Sequence, residues 1–284
     1  MPKNKTAKIR IFTVFIIKFN IIITFPFMNR ISHFLKFIGY LIKAKGAHSI
    51  HSPFVYDLYT KVIKDDSNYY AYPVIESIRA KMLLSEISVN VTDHGTGRSG
   101  IKKARSIANQ SVKRAKYGQL LFRLVNAYQP KTIIELGTSL GITTAYMASP
   151  LKESKVITME GCNEIANLAA DNFDRLKLKN IEIVIGNFNS TLPATISNLH
   201  TVDLVFFDGN HQLTPTLNYF EQLLPLAHEN SIFIFDDIHW SEEMEVAWKR
   251  IASHPEVSVS IDLFELGIIF FSKEKPQTQY VLRF

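Results

Sequence analysis

The chain has 284 residues, 46% of them hydrophobic and 20% charged, with 20 Phe and 11 Tyr; this excludes a largely disordered chain and allows one full domain with an appendage, or two small domains. A single cysteine, Cys162, excludes an internal disulfide and a zinc-knuckle spacing and favours a reducing, cytoplasmic setting. The net charge of +6 is uneven: nine of the 32 Lys and Arg precede Asp57, the first acid, which leaves 23 against all 26 Asp and Glu and gives the main body no basic surplus for nucleic acid.

Residues 1–28 read as an apolar, basic leader. The run 11–28 is interrupted by Lys18, Asn20 and Pro26, falls short of the ~20 residues that cross a bilayer and lacks a small-residue cleavage site. A weak membrane anchor and a translated leader upstream of a start at Met28 both stay open.

Residues 29–114 read as a helical N-terminal region. Between 30 and 45, Ile31, Phe34, Leu35, Ile38, Leu41 and Ile42 recur at helical spacing, with Arg30, His33, Lys36 and Lys43 elsewhere on the wheel. Such an amphipathic basic helix can lie on an anionic membrane or pack on its own domain. His48 and His51 sit in the following link as metal or substrate candidates against the commoner reading of solvated linker histidines, and Pro53 precedes a renewed helical pattern at Tyr56, Leu58 and Val62. From 75 to 127 the pattern is mostly helical, broken by VNVTDHGTGRSG. In that stretch Asp93, Gly95, Gly97 and Gly100 mimic a nucleotide-binding turn, but no strand ending in an acid follows, so a loop that caps a helix and serves as a lid is expected.

Residues 115–284 change character. From Lys131 onward the apolar runs KTIIE, KVITME, IEIVIG, VDLVFFD and SIFIFDD alternate with helical stretches, and VSVSIDL and LGIIFFS follow as two closing strands. Buried runs of this length separated by helices predict a Rossmann-like, doubly wound α/β domain with a mostly parallel sheet. In such a sheet ligands sit beyond the carboxyl ends of the strands, where strand order reverses. The first run ends IIELGTSLG, with Glu135, Gly137, Ser139 and Gly141. The spacing G-x-x-x-G lacks the middle glycine of a dinucleotide fingerprint, so a pyrophosphate is disfavoured. The second run ends in Glu160, 25 residues after Glu135, where a carboxylate can accept hydrogen bonds from two ribose hydroxyls. Taken singly, the glycines serve equally well a tight strand-to-helix turn, and Glu160 a helix cap.

The order ELGTSLG, MEG, VDLVFFDGNH, FIFDDIHW over residues 115–272 resembles the class I S-adenosylmethionine-dependent methyltransferases, and among them the metal-assisted small-molecule O-methyltransferases. The resemblance implies S-adenosyl-L-methionine as cofactor, held by Glu135, Gly137, Ser139, Gly141, Glu160 and Asp208. It extends to AKYGQLL at 115–121, similar to the family segment at the methionine end of the cofactor, which adds Gly118. The N-terminal helices would then help to form the acceptor pocket.

Asp208 and the pair Asp236, Asp237 end runs expected to be neighbouring strands, and three converging carboxylates repel unless protons or a cation compensate. An Mg²⁺ ion held by Asp208, Asp236 and Asp237 is the expected solution; the catechol-type family pattern has Asn where this chain has Asp237. His211, at the offset where catechol-type enzymes carry a lysine, is expected to act with Asp208 as the catalytic pair, its neutral imidazole taking a proton from a metal-acidified hydroxyl. A loop histidine that merely bonds Asp208 or Asp236 is the competing reading. His239 is a secondary candidate, Trp240 a core or pocket-wall aromatic, and Cys162 a buried small residue.

The expected function is methyl transfer to a hydroxyl of a small molecule, in a cytoplasmic protein. A peripheral membrane contact through the basic helix and a homodimer through the N-terminal region are further expectations. The alternatives are an NAD-dependent oxidoreductase, favoured only by the generic fold, and a noncatalytic membrane-associated binding module.

Overall fold

The computed structural model describes residues 32–92, 99–273 and 275–284. The expected leader 1–28 and the lid residues Asp93, Gly95 and Gly97 lie outside them. The chain divides into two compact units, 1–44 and 45–284. In the first, helix α1 spans 32–43 and leaves Phe34, Leu35 and Ile42 exposed. No helix among the described residues is long and apolar enough to cross a membrane.

In the second unit, helix α2 (Pro53–Leu58) starts where the sequence signals it: Pro53 occupies the first turn, and the Ser52 side chain accepts from the Val55 N–H at 3.4 Å. It runs on into a single π turn, Tyr59–Ile63. The carbonyls of Val62 and Ile63 that this turn leaves open accept from the buried guanidinium of Arg123, at 2.6 and 3.1 Å. Helix α3 (Ala71–Leu83) follows. The stretch expected to be a loop instead contributes residues to an antiparallel strand pair, β1 (Ser88–Val91) with β2 (Gly100–Lys103). The basic residues after Gly100 thus begin as strand and become helix only at α4 (Ala104–Ser111). The two strands are short, with alternating rather than continuous apolar residues, which is why the pattern passed for helix and loop.

Helix α5 (Ala115–Tyr128) leads into the large sheet: β3 (Thr132–Leu136), α6 (Ile142–Ala148), β4 (Lys155–Glu160), α7 (Asn163–Arg175), β5 (Ile181–Ile185), α8 (Phe188–Ile196), β6 (Val202–Phe207), α9 (Leu213–Leu223), β7 (Ala227–Asp236), α10 (Glu242–Ala252), β8 (Val259–Asp262), β9 (Leu266–Phe270) and β10 (Thr278–Val281). The strand order is β10-β8-β9-β7-β6-β3-β4-β5. The five strands from β5 to β7 are parallel, and β9 runs antiparallel to both β7 and β8. This is the expected Rossmann-like, doubly wound architecture. Strand β10, parallel to β8, was not signalled by the sequence.

Both faces of the sheet are covered, and alternate residues divide between them as the pleat requires. Ile133, Leu204, Phe206, Ile232 and Ile234 pack with Leu120, Leu121 and Leu124 of α5 and with Val55 and Leu58 of α2. Ile134, Val205, Phe207, Phe233 and Phe235 face Tyr219, Phe220 and Leu223 of α9 and Trp248 and Ile251 of α10. Burial on both faces explains why these strands read as continuous apolar runs. A third cluster joins α3, α4, β1 and α6. Because β3 and β6 are adjacent while the chain leaves β3 in one direction and returns through β6 in the other, strand order reverses between them. A crevice opens above that point.

Candidate functional site

The crevice is a cavity of about 620 Å³, walled by the ends of β3, β4, β6 and β7 and by the segment ahead of α5. Three of its lining residues, Ser139, Asn210 and Asp237, hold positive φ angles of 48°, 55° and 54°. Non-glycine residues adopt that region at a cost, and Asn and Asp tolerate it best. The backbone is turned sharply at three of the four strand ends that meet here.

At the end of β3, Gly137 has φ +112°, and a Cβ there would lie 2.3 Å from the backbone oxygen of Asp208. The glycine therefore allows the turn after β3 to press against the turn after β6. Ser139 follows, its N–H donating to Glu160 at 2.9 Å and its hydroxyl 2.8 Å from that of Ser111. The other Glu160 oxygen accepts the Cys162 N–H at 3.0 Å. The end of β4 and the glycine turn are thus tied together by one carboxylate at the cavity wall.

Seven of the expected catalytic, cofactor and metal residues line this cavity: Gly137, Ser139, Glu160, Asp208, His211, Asp236 and Asp237. Three expected cofactor residues do not. Glu135 is fully buried beneath the turn; its Oε2 accepts from Thr158 at 2.6 Å and from the Thr144 hydroxyl. Burial pushes its carboxyl up to about 8, against the lowering effect of those two hydroxyls. Gly141 has φ +76° and gives way to the Phe173 ring, against which a Cβ would clash at 2.5 Å. Gly118 gives way to the Tyr146 ring in the same manner, at 2.4 Å. Both glycines serve helix packing, of α6 on α7 and of α5 on α6. His48 and His51 are exposed and away from the cavity. Cys162 is buried, with its sulfur near the backbone of Asn90 and Thr92.

The ends of β6 and β7 carry the charge. Asp236 closes β7, fully buried, and Asp208 follows β6, with 15% of its side chain exposed. His211 Nε2 lies 3.7 Å from Asp208 Oδ1 and 4.0 Å from Asp237 Oδ2. Sequence reasoning missed a further member, Lys113, whose ammonium lies 2.6 Å from both Asp236 Oδ1 and Asp237 Oδ1 and 3.6 Å from Glu265 Oε2. Of the two short contacts, the one to Asp237 is a hydrogen bond, whereas Asp236 Oδ1 is met outside hydrogen-bond geometry. Burial alone would lower the lysine, but the charges of Asp236, Asp237 and Asp208 outweigh it and hold the ammonium above the usual lysine range. Burial raises Asp208 well above the carboxylate range, and the neighbouring Asp236 adds to it. Burial also raises Asp236, with Lys113 opposing. The ammonium of Lys113 is thus the counter-charge that the structure places against this cluster. His239, the secondary candidate, lies outside the cavity and bridges Glu245 and Asp262 at 3.2 and 2.8 Å, while Trp240 lines the rim with 66% exposure.

These positions test the expected metal. Among the described residues, donor atoms within 4.8 Å of one another come from Asp208, His211 and Asp236; Asp237, expected as the third ligand, is instead the hydrogen-bond partner of Lys113. A dication sharing Asp236 with that ammonium, at about 5 Å, would be repelled by on the order of 6 kcal/mol at an effective dielectric of about 20. The attraction of the carboxylates acts against that term, and Lys113 already takes up part of it at Asp236 and Asp237. With Lys113 in place, the position beside Asp236 and Asp237 already holds a cation.

Fold and site together define a Rossmann-like α/β protein with an acid-rich, histidine-bearing cavity above its switch point. Residues 134–238 match the family described as "Methyltransferase domain", a span that runs from within β3 to the residue after Asp237. Among curated proteins, a catechol O-methyltransferase from Niastella koreensis is 31% identical over 124 residues, 43% of this chain and 55% of the relative. The chain thus spans about half the length of that relative. Among solved structures, an SAH-bound Podospora anserina methyltransferase superposes with a TM-score of 0.56 at 13% identity, covering 79% of this chain and 98% of the other. The O-methyltransferase from Bacillus cereus in complex with SAH gives 0.52 at 18%, covering 76% and 97%. At these identities the two superpositions establish the fold.

Proposed function

We propose that this protein is an S-adenosylmethionine-dependent methyltransferase acting on a hydroxyl of a small molecule. The observation that carries the reading is the convergence of Glu160, Asp208 and His211 on one cavity at the switch point, within the segment matched by the methyltransferase family. The similarity to a catechol O-methyltransferase and to structures holding SAH supports both donor and reaction class.

The cavity suits such a donor. Its volume of about 620 Å³ lies within the range of small-molecule sites, about 300–1,000 Å³. Glu160 presents a carboxylate at the wall, fixed by two backbone N–H groups, as ribose recognition requires. Gly137 and Ser139 line the turn beside it. When bound, S-adenosylmethionine would be held beside Glu160, Gly137 and Ser139 and would supply an activated methyl group for the acceptor oxygen, its sulfur keeping the electrons of the S–C bond. His211 Nε2 takes the acceptor's proton, with carboxylate oxygens of Asp208 and Asp237 3.7 and 4.0 Å away to fix its position. Asp208 and Asp237 hold that histidine between two acids of fixed position, so catalysis rests on orientation and charge compensation.

Calorimetry with S-adenosylhomocysteine tests the donor directly. Binding to the full chain, weakened at least tenfold by Glu160→Ala, is expected; a folded protein that binds none, with no difference between the two, rejects the reading.

A second, compatible reading concerns α1. Its exposed Phe34, Leu35 and Ile42, in a stretch rich in cations and free of acids, favour peripheral contact with anionic membrane surfaces. Co-sedimentation with phosphatidylserine vesicles, lost on deleting residues 1–44, is the expected outcome. Equal recovery with neutral vesicles would reject it.

A further inference from the structure

We propose that Lys113 is the resident cation of this site: its ammonium takes the place of a divalent ion, holding Asp236 and Asp237 together and directing an acceptor hydroxyl toward His211. The inference rests on the methyl-transfer reading for its chemistry, but its structural half stands without it.

Three observations carry it. Lys113 lines the cavity and keeps only 15% of its side chain exposed, with Nζ 2.6 Å from Asp236 Oδ1 and Asp237 Oδ1. That is where charge compensation is needed, on two carboxylates brought together by the end of β7. The lysine is also held from behind. Its backbone carbonyl accepts from the Arg79 guanidinium. Arg79 Nε in turn donates to both Glu76 oxygens at 2.9 Å, and the Tyr146 hydroxyl donates to Glu76 at 2.6 Å. A surface lysine on a flexible stem has no such scaffold. Finally, the ammonium carries three protons. One serves Asp237 in a hydrogen bond, a second faces Asp236 Oδ1 at 2.6 Å, and Glu265 at 3.6 Å is beyond hydrogen-bond range. A proton therefore remains to be offered to an oxygen entering the cavity.

The role is electrostatic throughout. No bond is made to Lys113 and its protons stay on nitrogen; the hydroxyl proton goes to His211. A fixed cation beside the acceptor oxygen favours the charge that develops there as the proton leaves, as an oxyanion hole does. It also repels the dication that the surrounding carboxylates would otherwise attract.

The test uses the full chain and Mn²⁺ as the metal probe, with free Mn²⁺ followed by electron paramagnetic resonance, and S-adenosylhomocysteine calorimetry on the same samples. Wild type and Lys113→Arg are expected to leave Mn²⁺ free, whereas Lys113→Met binds it at least tenfold more tightly than wild type. Mn²⁺ bound tightly by wild type, or by none of the three proteins, overturns the proposal. Should Lys113→Met fail to fold, Lys113→Met/Glu265→Gln, with one carboxylate fewer to repel, is measured in its place. Turnover on an acceptor found by screening phenols and sugars with labelled donor supplies the second arm. Wild-type turnover is expected to be unchanged in excess chelator, with kcat for Lys113→Met in chelator down about 100-fold, KM for the donor unchanged, and partial rescue by Lys113→Arg. Loss of wild-type turnover in chelator overturns the proposal. Failure of S-adenosylhomocysteine to bind any of these proteins would instead reject the donor reading, and the Mn²⁺ arm would still decide what Lys113 does.

Discussion

At the end of β3 one buried carboxylate, Glu135, is closed off by two threonine hydroxyls and by a proton that burial keeps on it to about pH 8. At the ends of β6 and β7, two strands away at most, Asp208, Asp236 and Asp237 share a wall with His211 and are compensated by the ammonium of Lys113. Both regions place acids where water is scarce, and burying an ionised carboxylate without a partner is costly. The first neutralises its acid locally and turns away from the cavity. The second keeps its charges in contact with the cavity by importing a cation from outside the strands. Buried acidity of the first kind supports the fold, while the second kind leaves groups able to act on a ligand.

The largest effect expected to break this contrast is at Lys113. Lys113→Met removes the cation from a cluster of buried carboxylates, and urea unfolding at pH 7 should show a loss of about 3–5 kcal/mol; a loss below about 1 kcal/mol would mean that the acids compensate themselves. Gly137→Ala comes next. The positive φ and the backbone oxygen at 2.3 Å both oppose a Cβ, so a loss of about 2–3 kcal/mol is expected in the same assay, together with weakened S-adenosylhomocysteine binding, because the turn is part of the wall.

Two smaller effects sharpen the contrast. Asp208→Asn removes one charge from a repelling set and is expected to raise stability by about 1 kcal/mol while lowering turnover, the usual exchange at a site built for function. Glu135→Gln keeps an acceptor for Thr144 and Thr158 and should change stability by less than about 1 kcal/mol at pH 6. Its pH dependence is the sharper measure. The folded carboxyl lies at about 8 against 4.5 for an ordinary glutamate, so the folded state binds the extra proton between those values. Its contribution is full below pH 4.5 and is lost as pH rises through 8. Thermal or urea titration should find wild type losing stability relative to Glu135→Gln as pH rises from 4.5 to about 8, and no further relative change above it. Parallel curves for the two proteins would show that Glu135 stays ionised.

Continuous apolar runs separated by helical stretches were enough to read the parallel sheet, because strands covered on both faces cannot alternate polar and apolar residues. The site acids were legible for a related reason: Glu160, Asp208, Asp236 and Asp237 end or follow such runs, and strand ends in this architecture meet at one edge. What the glycines do was not legible. A G-x-x-x-G turn looks alike whether it faces a ligand or a neighbouring helix, and only the Phe173 ring against Gly141 and the Tyr146 ring against Gly118 reveal that those two serve packing. Glu135 lies one step of the pleat short of the strand's end, and a residue still inside the strand points to a face of the sheet rather than over its end.

Local pattern by itself thus determined the architecture, the switch-point location and the acids that could gather there, all of which follow from periodicity and chain order. Only the tertiary structure decided what balances those acids. Lys113 lies 95 residues before Asp208 and more than 120 before Asp236 and Asp237, in a link between two helices that carries no motif of its own. Coulomb attraction depends on distance in space, and the fold of α3, α5 and the sheet is what sets that distance.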